Sequence, residues 1–162
     1  MKTAIKSLSP AVLAMLIIMP VSQASATNLT ADSRLMVKTS VDEVIGVREI
    51  EAGKFKQGIR KSKAGLAKTS TASIRKPLLD NLCVAHLAIK DMEQANQYCQ
   101  TAINTGKASA ISYNNRAVMH YVLGNIEASL EDLDAASKFG NFQNMVGSNL
   151  RIINQQDMLS NN

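Results

Sequence analysis

The sequence predicts an all-α protein built from stacked helix pairs, and three observations support this. The composition favours helices, because strand-type alternation of β-branched residues is scarce, aromatic residues make up 4% of the 162 residues and tryptophan is absent. A segment in the second half of the chain repeats itself at a constant offset. Apolar and small residues recur at helical spacing on both sides of short turns. We therefore expect about three helix pairs and one closing helix.

Residues 1–26 have the three-part layout of a secretory signal peptide. Lys2 and Lys6 give a positive start, an apolar run covers residues 11–19, and residues 24–26 are the small residues that a leader peptidase requires. The apolar run is shorter than the roughly 20 residues that span a bilayer, although an uncleaved anchor is the alternative. We expect a bacterial leader, cleavage after Ala26, and a periplasmic or secreted mature chain without stable membrane insertion.

The charge balance argues against a nucleic-acid partner. The formal charge is +5, and Lys2 and Lys6 of the leader supply part of it, so the mature chain is only weakly basic. Basic residues concentrate in residues 48–76, whereas acidic residues predominate from Pro77 onward. The basic stretch predicts contact with an anionic surface or an acidic partner. The simpler interpretation is a solvated helix face and linker.

Two segments align with each other without a gap. Residues 79–86 match residues 113–120, and the similarity continues into the stretches that follow. We call the offset between them, which is the separation of Leu79 and Tyr113, the repeat period. Turns at residues 90–91 and 124–125 divide each unit into a helix, a tight turn and a second helix. Within these two segments the identical positions are Asn81 and Asn115, Val84 and Val118, and His86 and His120.

This pattern resembles the tetratricopeptide repeat (TPR) family, over about residues 40–139. That family has large or apolar residues at repeat positions 4, 7 and 11, and small residues at positions 8, 20 and 27, where two helices approach closely. In the third unit these positions hold Tyr113, Arg116, His120, Ala117, Ser129 and Ala136, and in the second Leu79, Leu82, His86, Cys83, Ala95 and Ala102. Arg116 and Ser129 depart from the family pattern. The resemblance implies a right-handed solenoid, and a generic helical bundle is the alternative.

The first unit is the weakest of the three. We expect its helices at about residues 40–52 and 55–67, with glycine at the three small positions, Gly46, Gly58 and Gly65. Each glycine lowers helix stability by roughly 1 kcal/mol relative to alanine. The three glycines therefore indicate that the backbones touch, or that this unit is loosely ordered.

The remaining segments complete the predicted organisation. Residues 27–39 are expected to be a flexible polar segment. A linker over residues 68–76 leads to Pro77, which is expected to open the next helix. The second and third units cover residues 76–106 and 110–140. A helix over residues 142–159, with an apolar stripe and an opposite face of Gln and Asn that includes Asn149, is expected to cap the array.

Cys83 and Cys99 are the only cysteines, and we expect them to form a disulfide. The leader directs them to an oxidising compartment, where an even number of cysteines usually pairs. Two helices that run antiparallel about a turn near residue 90 would bring them level on facing sides. A redox site and two free thiols are the alternatives, and the chain has no Cys-x-x-Cys motif.

No catalytic constellation is apparent in the sequence. His86 and His120 share one repeat position, which packs between helices, and a metal site of Cys83, Cys99 and His86 lacks a fourth ligand. The acidic run at residues 131–134 is interpreted as a solvated face rather than as an acid–base pair. Phosphate-binding loops, nucleophile elbows and zinc signatures are not found. We therefore expect a protein that is not an enzyme and that carries no cofactor or metal.

The resemblance also implies a binding groove on the first helices of the pairs, because TPR proteins generally bind peptides or partner segments there. Asn114 is expected to bond a peptide backbone and Tyr121 to anchor it. Alternatives place the closing helix or a dimer contact in the groove. The groove positions are Val84, Leu87, Ala88, Ile111, Asn114, Val118, Tyr121 and Val122.

Together these features predict an envelope scaffold or adaptor that holds a protein or peptide partner in an apolar groove. One alternative is a redox- or metal-active accessory protein that uses Cys83, Cys99 and His86. A self-associating structural protein is the other.

Overall fold

A computed structural model describes residues 34–160, and this part of the chain forms seven α-helices and no strand. The predicted all-α class is confirmed. The signal peptide predicted at residues 1–26, and residues 27–33, lie outside the described residues. No helix within the described range has the length and apolar content to span a membrane. The helices are α1 (Val47–Glu51), α2 (Phe55–Leu66), α3 (Ala72–Ala88), α4 (Met92–Ile103), α5 (Ala110–Val122), α6 (Ile126–Ser137) and α7 (Gln143–Ser160).

The helices pack in chain order, and the first helices of successive pairs also touch. Each helix contacts the next one, α3 also contacts α5, and α5 also contacts α7. The turns of the second and third pairs have matching geometry. Lys90 (φ 59°) and Gly124 (φ 81°) are both left-handed, and the residues that follow them, Asp91 and Asn125, each donate an N–H to the carbonyl of the preceding histidine. Residues one repeat period apart thus make the same turn.

Small residues allow the paired helices to approach closely. Ala95 and Ala102 in α4, and Ala117 and Ala136 in the third pair, are almost fully buried. Ser129 stands at the position that is alanine in the second pair, and its Oγ donates to the carbonyl of Ala117 at 2.7 Å. The hydroxyl is satisfied in the interior, so serine at this position leaves no unpaired polar group.

The first helix is shorter than expected. It covers only Val47–Glu51, because Gly46 is left-handed (φ 97°) and stops the helix from extending toward residue 40. Backbones do touch here. A Cβ on Gly58 of α2 would overlap Ile50 Cγ1 and lie 3.1 Å from the carbonyl oxygen of Gly46. The two glycines therefore allow α1 and α2 to meet without side chains between them.

The third helix begins earlier than the sequence predicts. It starts at Ala72, so Pro77 lies inside the helix rather than at its opening. Proline cannot donate the backbone hydrogen bond of its position, so α3 lacks one helical bond there. Arg75 ties the first turn of α3 to the chain before it, since its Nη1 donates to the carbonyls of Leu66 at 3.1 Å and Thr69 at 2.9 Å.

The last helix buries the side-chain carboxamide of Asn149 together with its apolar stripe. Val146 and Ile153 are 1% and 0% exposed and pack against α5 and α6. Asn149 is also 0% exposed, although the sequence placed it on the polar outer face. The reason is that Asn149 has partners inside the molecule.

Candidate functional site

Residues 35–40 run as an extended chain across the first helices of the pairs, in the direction from α7 to α3. Over residues 35–39 this differs from the flexible polar segment expected at residues 27–39. Every second residue of the extended chain donates its backbone N–H to an asparagine Oδ1. The bonds join Met36 to Asn149 (2.8 Å), Lys38 to Asn115 (3.0 Å) and Ser40 to Asn81 (2.8 Å).

Asn81, Asn115 and Asn149 form an asparagine ladder, in which successive rungs are one repeat period apart and each residue is 0% exposed. Asn115 Nδ2 also donates to the carbonyl of Lys38 at 2.8 Å, and Asn149 Nδ2 donates to the carbonyl of Met36 at 2.7 Å. A carboxamide offers an acceptor and two donors, which match one backbone C=O and N–H. The bonds of the ladder therefore engage the backbone of residues 36–40 and not their side chains.

Asn114, which the sequence placed in the groove, supports the first rung. Its Nδ2 donates to the carbonyl of Met36 at 2.8 Å, and its Oδ1 accepts from Asn149 Nδ2 at 2.8 Å. The carbonyl of Met36 thus accepts two hydrogen bonds. This contact is made to the chain itself, not to a separate peptide.

The side chains of the segment alternate between the helices and the outside, as an extended chain requires. Leu35 packs on the cluster that contains Tyr121. Val37 packs on the cluster that contains Val84. Thr39 is buried and its Oγ1 donates to Glu51 Oε1 at 2.6 Å, whereas Met36 is 46% exposed. The inward residues are thus two aliphatic side chains and one hydroxyl.

The expected groove is therefore covered by residues 35–40 rather than open. Val84, Val118 and Tyr121 are 7%, 5% and 4% exposed, and Ile111 and Asn114 are also buried. Of the other predicted groove residues, Leu87 and Val122 are half-buried and Ala88 is exposed. The closing helix takes part as well, since Asn149 of α7 bonds Asn114.

A buried charged cluster lies at the α3 end of the ladder. Lys76 Nζ is 3.1 Å from Asp80 Oδ2 and also donates to Ser112 Oγ. Burial raises the pKa of the Asp80 carboxyl, although Lys76 and Ser112 oppose that shift. Asp80 Oδ1 is buried and has no hydrogen-bond partner among the described residues.

The two histidines occupy matching positions with different partners. His86 stacks on Tyr98 with ring centroids 5.2 Å apart, and its Nδ1 is 3.0 Å from Asp91 Oδ2. His120 Nε2 is 3.8 Å from Asp132, which stands one repeat period after Tyr98. Burial lowers the pKa of both histidines. Asp132 is buried, so it does not belong to the solvated face that the sequence predicts for residues 131–134.

The structure joins Cys83 and Cys99 in a disulfide with a Cα–Cα distance of 4.9 Å. The bond links α3 to α4 beside Ala95 and Met119. With both sulfurs in this bond, neither cysteine offers a thiolate to a metal or a redox partner.

The basic stretch at residues 48–76 is only partly free of internal partners. Lys61 pairs with Glu49, Arg75 binds carbonyl oxygens and Lys76 is paired inside the molecule. Arg60 and Lys63 are exposed. Lys63 lies over the Tyr98 ring at 5.6 Å from its centroid.

The ladder is the feature of this surface that the sequence pattern did not predict. The alignment pairs Asn81 with Asn115, and one further repeat period gives Asn149. That extension of the period into the closing helix was the signal. No family model, curated protein or solved structure matches this chain.

Proposed function

We propose that the protein is a TPR-type solenoid that acts in the bacterial envelope as an adaptor, holding an extended segment of a partner protein on the asparagine ladder. The observation that carries this proposal is that three asparagines, spaced by the repeat period, bond every second residue of an extended chain. Each repeat period supplies one such rung, from the first helix of the second and third pairs and from the closing helix.

The chemistry of the ladder suits a peptide ligand. Two of its rungs bond both the N–H and the C=O of one residue, and peptide affinity in this mode comes from the main chain. Specificity comes from the side chains that face the helices. Val84 and Tyr121 lie in the clusters that receive Val37 and Leu35, so the same apolar surface would receive aliphatic residues of a partner.

The proposed location in the envelope has two supports. Residues 1–26 have the layout of a cleaved leader. The Cys83–Cys99 disulfide suits a compartment that oxidises thiols. N-terminal sequencing of the exported protein is expected to begin at Thr27, and an intact leader on the exported protein would contradict the proposal.

Direct titration of a peptide tests the binding function. The ligand is a fluorescent peptide with the sequence of residues 34–40, and the protein carries Val37→Asp to weaken its own segment. We expect saturable anisotropy. A peptide with aspartate in place of its leucine and valine is expected not to bind. An N-methyl group on the peptide nitrogen that corresponds to Lys38 removes a ladder bond and should weaken binding. Equal binding by all three peptides would contradict recognition by the ladder.

A further inference from the structure

The third rung of the ladder is incomplete. Asn115 and Asn149 each bond both backbone groups of one residue, but Asn81 only accepts from the N–H of Ser40. Asn81 Nδ2 is buried and has no partner among the described residues. A carboxamide that uses one of its two sides leaves a donor unsatisfied in the interior.

The rung is incomplete because the chain turns away at this point. Ser40 Oγ bonds Asp42, and Val44 N–H donates to the carbonyl of Asp42 at 2.8 Å, so the chain bends to reach α1 at Val47. A chain that continued straight would place its carbonyl at Asn81, as Lys38 does at Asn115. The covalent connection to α1 prevents this.

The charge near the third rung comes from Asp80. Asp80 Oδ1 has no hydrogen-bond partner among the residues described, and the Asp80 side chain is buried on α3 next to Asn81. Asp42 of the segment's bend is close enough to act on Asp80 as a like charge. Lys76 joins Asp80 to Ser112 of α5, so Asp80 lies on the α5 side of Asn81, and the vacancy at the end of the segment is the Asn81 Nδ2 donor.

We propose that residues 35–40 are a displaceable internal ligand, and that the partner is an extended peptide whose backbone continues straight past Asn81 and offers a carbonyl to Asn81 Nδ2. Its side chains match the register of the segment: aliphatic at the positions of Leu35 and Val37 and a hydroxyl at that of Thr39. At the position of Asp42 it carries a neutral or basic residue. This inference rests on the proposed function.

The internal segment acts through its high local concentration rather than through the quality of its fit. A short connection such as residues 41–46 gives a tethered ligand an effective concentration in roughly the millimolar range. A free peptide that makes the same contacts would therefore displace the segment only at concentrations above that effective concentration. One additional hydrogen bond improves affinity about fivefold, so completing the third rung favours the partner over the internal segment.

The test uses the full mature chain and two peptides made as C-terminal amides. The short peptide covers residues 34–39, and the long one covers residues 34–42 with serine in place of Asp42. We expect the long peptide to bind at least about fivefold more tightly. In a third peptide, an ester replaces the amide that follows the Ser40 position of the long peptide. The ester makes the Ser40 carbonyl a weaker hydrogen-bond acceptor, so the gain in affinity over the short peptide is expected to disappear. An N-methyl group on the following nitrogen keeps the carbonyl and is expected to retain the gain.

Displacement is read from trypsin cleavage after Lys38, detected by mass spectrometry as a new N-terminus at Thr39. The ladder bonds both backbone groups of Lys38, so this site is protected while the segment is bound. We expect the long peptide to accelerate cleavage. The inference is overturned if the long peptide binds no better than the short one and Lys38 stays protected, or if size exclusion shows a dimer that exchanges the segment between copies.

Variants with a weakened segment separate this failure from failure of the proposed function. Leu35→Asp and Val37→Asp are two independent choices, which guards against misfolding of either one. If the peptides bind these variants but do not displace the native segment, only the inference fails. If no peptide binds a folded variant, the proposed function fails as well.

Discussion

Arg116 and Asp132 form a two-pronged ion pair between α5 and α6, with Nε to Oδ2 at 2.8 Å and Nη2 to Oδ1 at 2.6 Å. Their side chains are 18% and 6% exposed. The hydrogen bond and the charge of Asp132 raise the pKa of Arg116, against the effect of burial. Arg116 also donates to Gln100 Oε1 of the preceding pair at 2.8 Å. Arg116 thus stands at the repeat position that Leu82, an apolar residue, occupies in the second unit. Its bonds to Gln100 and Asp132 link two neighbouring helix pairs.

Removing one side of this pair is expected to destabilise the fold. Asp132→Ala leaves the Arg116 guanidinium largely buried without its carboxylate, and the free energy of unfolding should fall by about 3 kcal/mol. Urea denaturation followed by circular dichroism measures the change. Asp134→Ala is the matched control on the same helix, because the Asp134–Lys138 pair is mostly exposed. Equal losses in the two variants would contradict a specific role for Arg116 and Asp132.

Reduction of the disulfide is expected to lower stability markedly. The bond joins residues separated by 16 positions, and the chain-entropy model gives about 3 kcal/mol for a loop of this size. Urea denaturation with and without reductant, and of the Cys83→Ser, Cys99→Ser double variant, measures this loss. Thiol reagents should label no cysteine in the unreduced protein, even in guanidinium, and two after reduction. Labelling before reduction would show that the bond is not formed.

Two glycine substitutions are expected to have opposite effects. Gly58→Ala places a methyl group against Ile50 where α1 and α2 touch, so it should destabilise the protein despite the better helix propensity of alanine. Gly147→Ala in α7 meets no atom within 4 Å and should stabilise by about 0.5 to 1 kcal/mol. Thermal melts of both variants measure the difference. Stabilisation by Gly58→Ala would mean that the backbones do not touch there.

The asparagine ladder is expected to hold residues 35–40 in place. Asn115→Ala removes both bonds to Lys38. Two neutral hydrogen bonds contribute about 2 kcal/mol together. Hydrogen exchange at residues 35–40 should accelerate, and trypsin should cleave more readily after Lys38. Asn144→Ala, an exposed asparagine of α7, is the control and should change neither quantity. An unchanged exchange rate in Asn115→Ala would contradict the ladder.

Stability is expected to fall in mild acid because of the two histidines. Burial holds the pKa of His86 and His120 below the ordinary value of 6.5, so the folded state binds protons less readily than the unfolded state. Their contribution is complete above pH 6.5 and is lost as the pH falls through the lower folded-state pKa. Asp80 changes stability with pH in the opposite direction, since burial raises the pKa of its carboxyl and the folded state therefore binds that proton more readily than the unfolded state.

Urea midpoints measured across a pH series test this expectation. The midpoint should fall as the pH drops below 6.5. A variant with His86→Gln and His120→Gln should show a shallower decline, while Asp80 remains as in the native protein. An identical decline in the double variant would assign the pH dependence to other groups.

The fold was predictable where the relevant information is local. The repeat of residues 79–86 at 113–120 located both helix pairs, because burial and turn geometry recur with the period. The position of Pro77 was not predicted, because proline usually opens helices, whereas α3 starts at Ala72 and its first turn is bonded through Arg75 to residues before the helix. The short α1 depends on the left-handed Gly46, whose conformation a sequence pattern does not reveal.

The site was only partly predictable because its partners are distant in sequence. Asn114 was expected to contact a backbone, and it contacts Met36, 78 positions away. Asn149 was assigned to the outer face because asparagine in an amphipathic helix normally faces water, yet it bonds a residue 113 positions earlier. Residues 35–39 alternate inward and outward side chains, but so short an alternation does not identify the helices that the segment crosses.

The bond between Met36 and Asn149 also determines at what stage of synthesis folding can be completed. Stacked repeats usually touch only their neighbours, so such arrays can fold and fray from one end. Here a residue near the beginning of the described chain is held by the final helix, so the structure cannot close until almost all of the polypeptide has been made. The high contact order of this closure predicts a slow last folding phase and an array that melts as one unit.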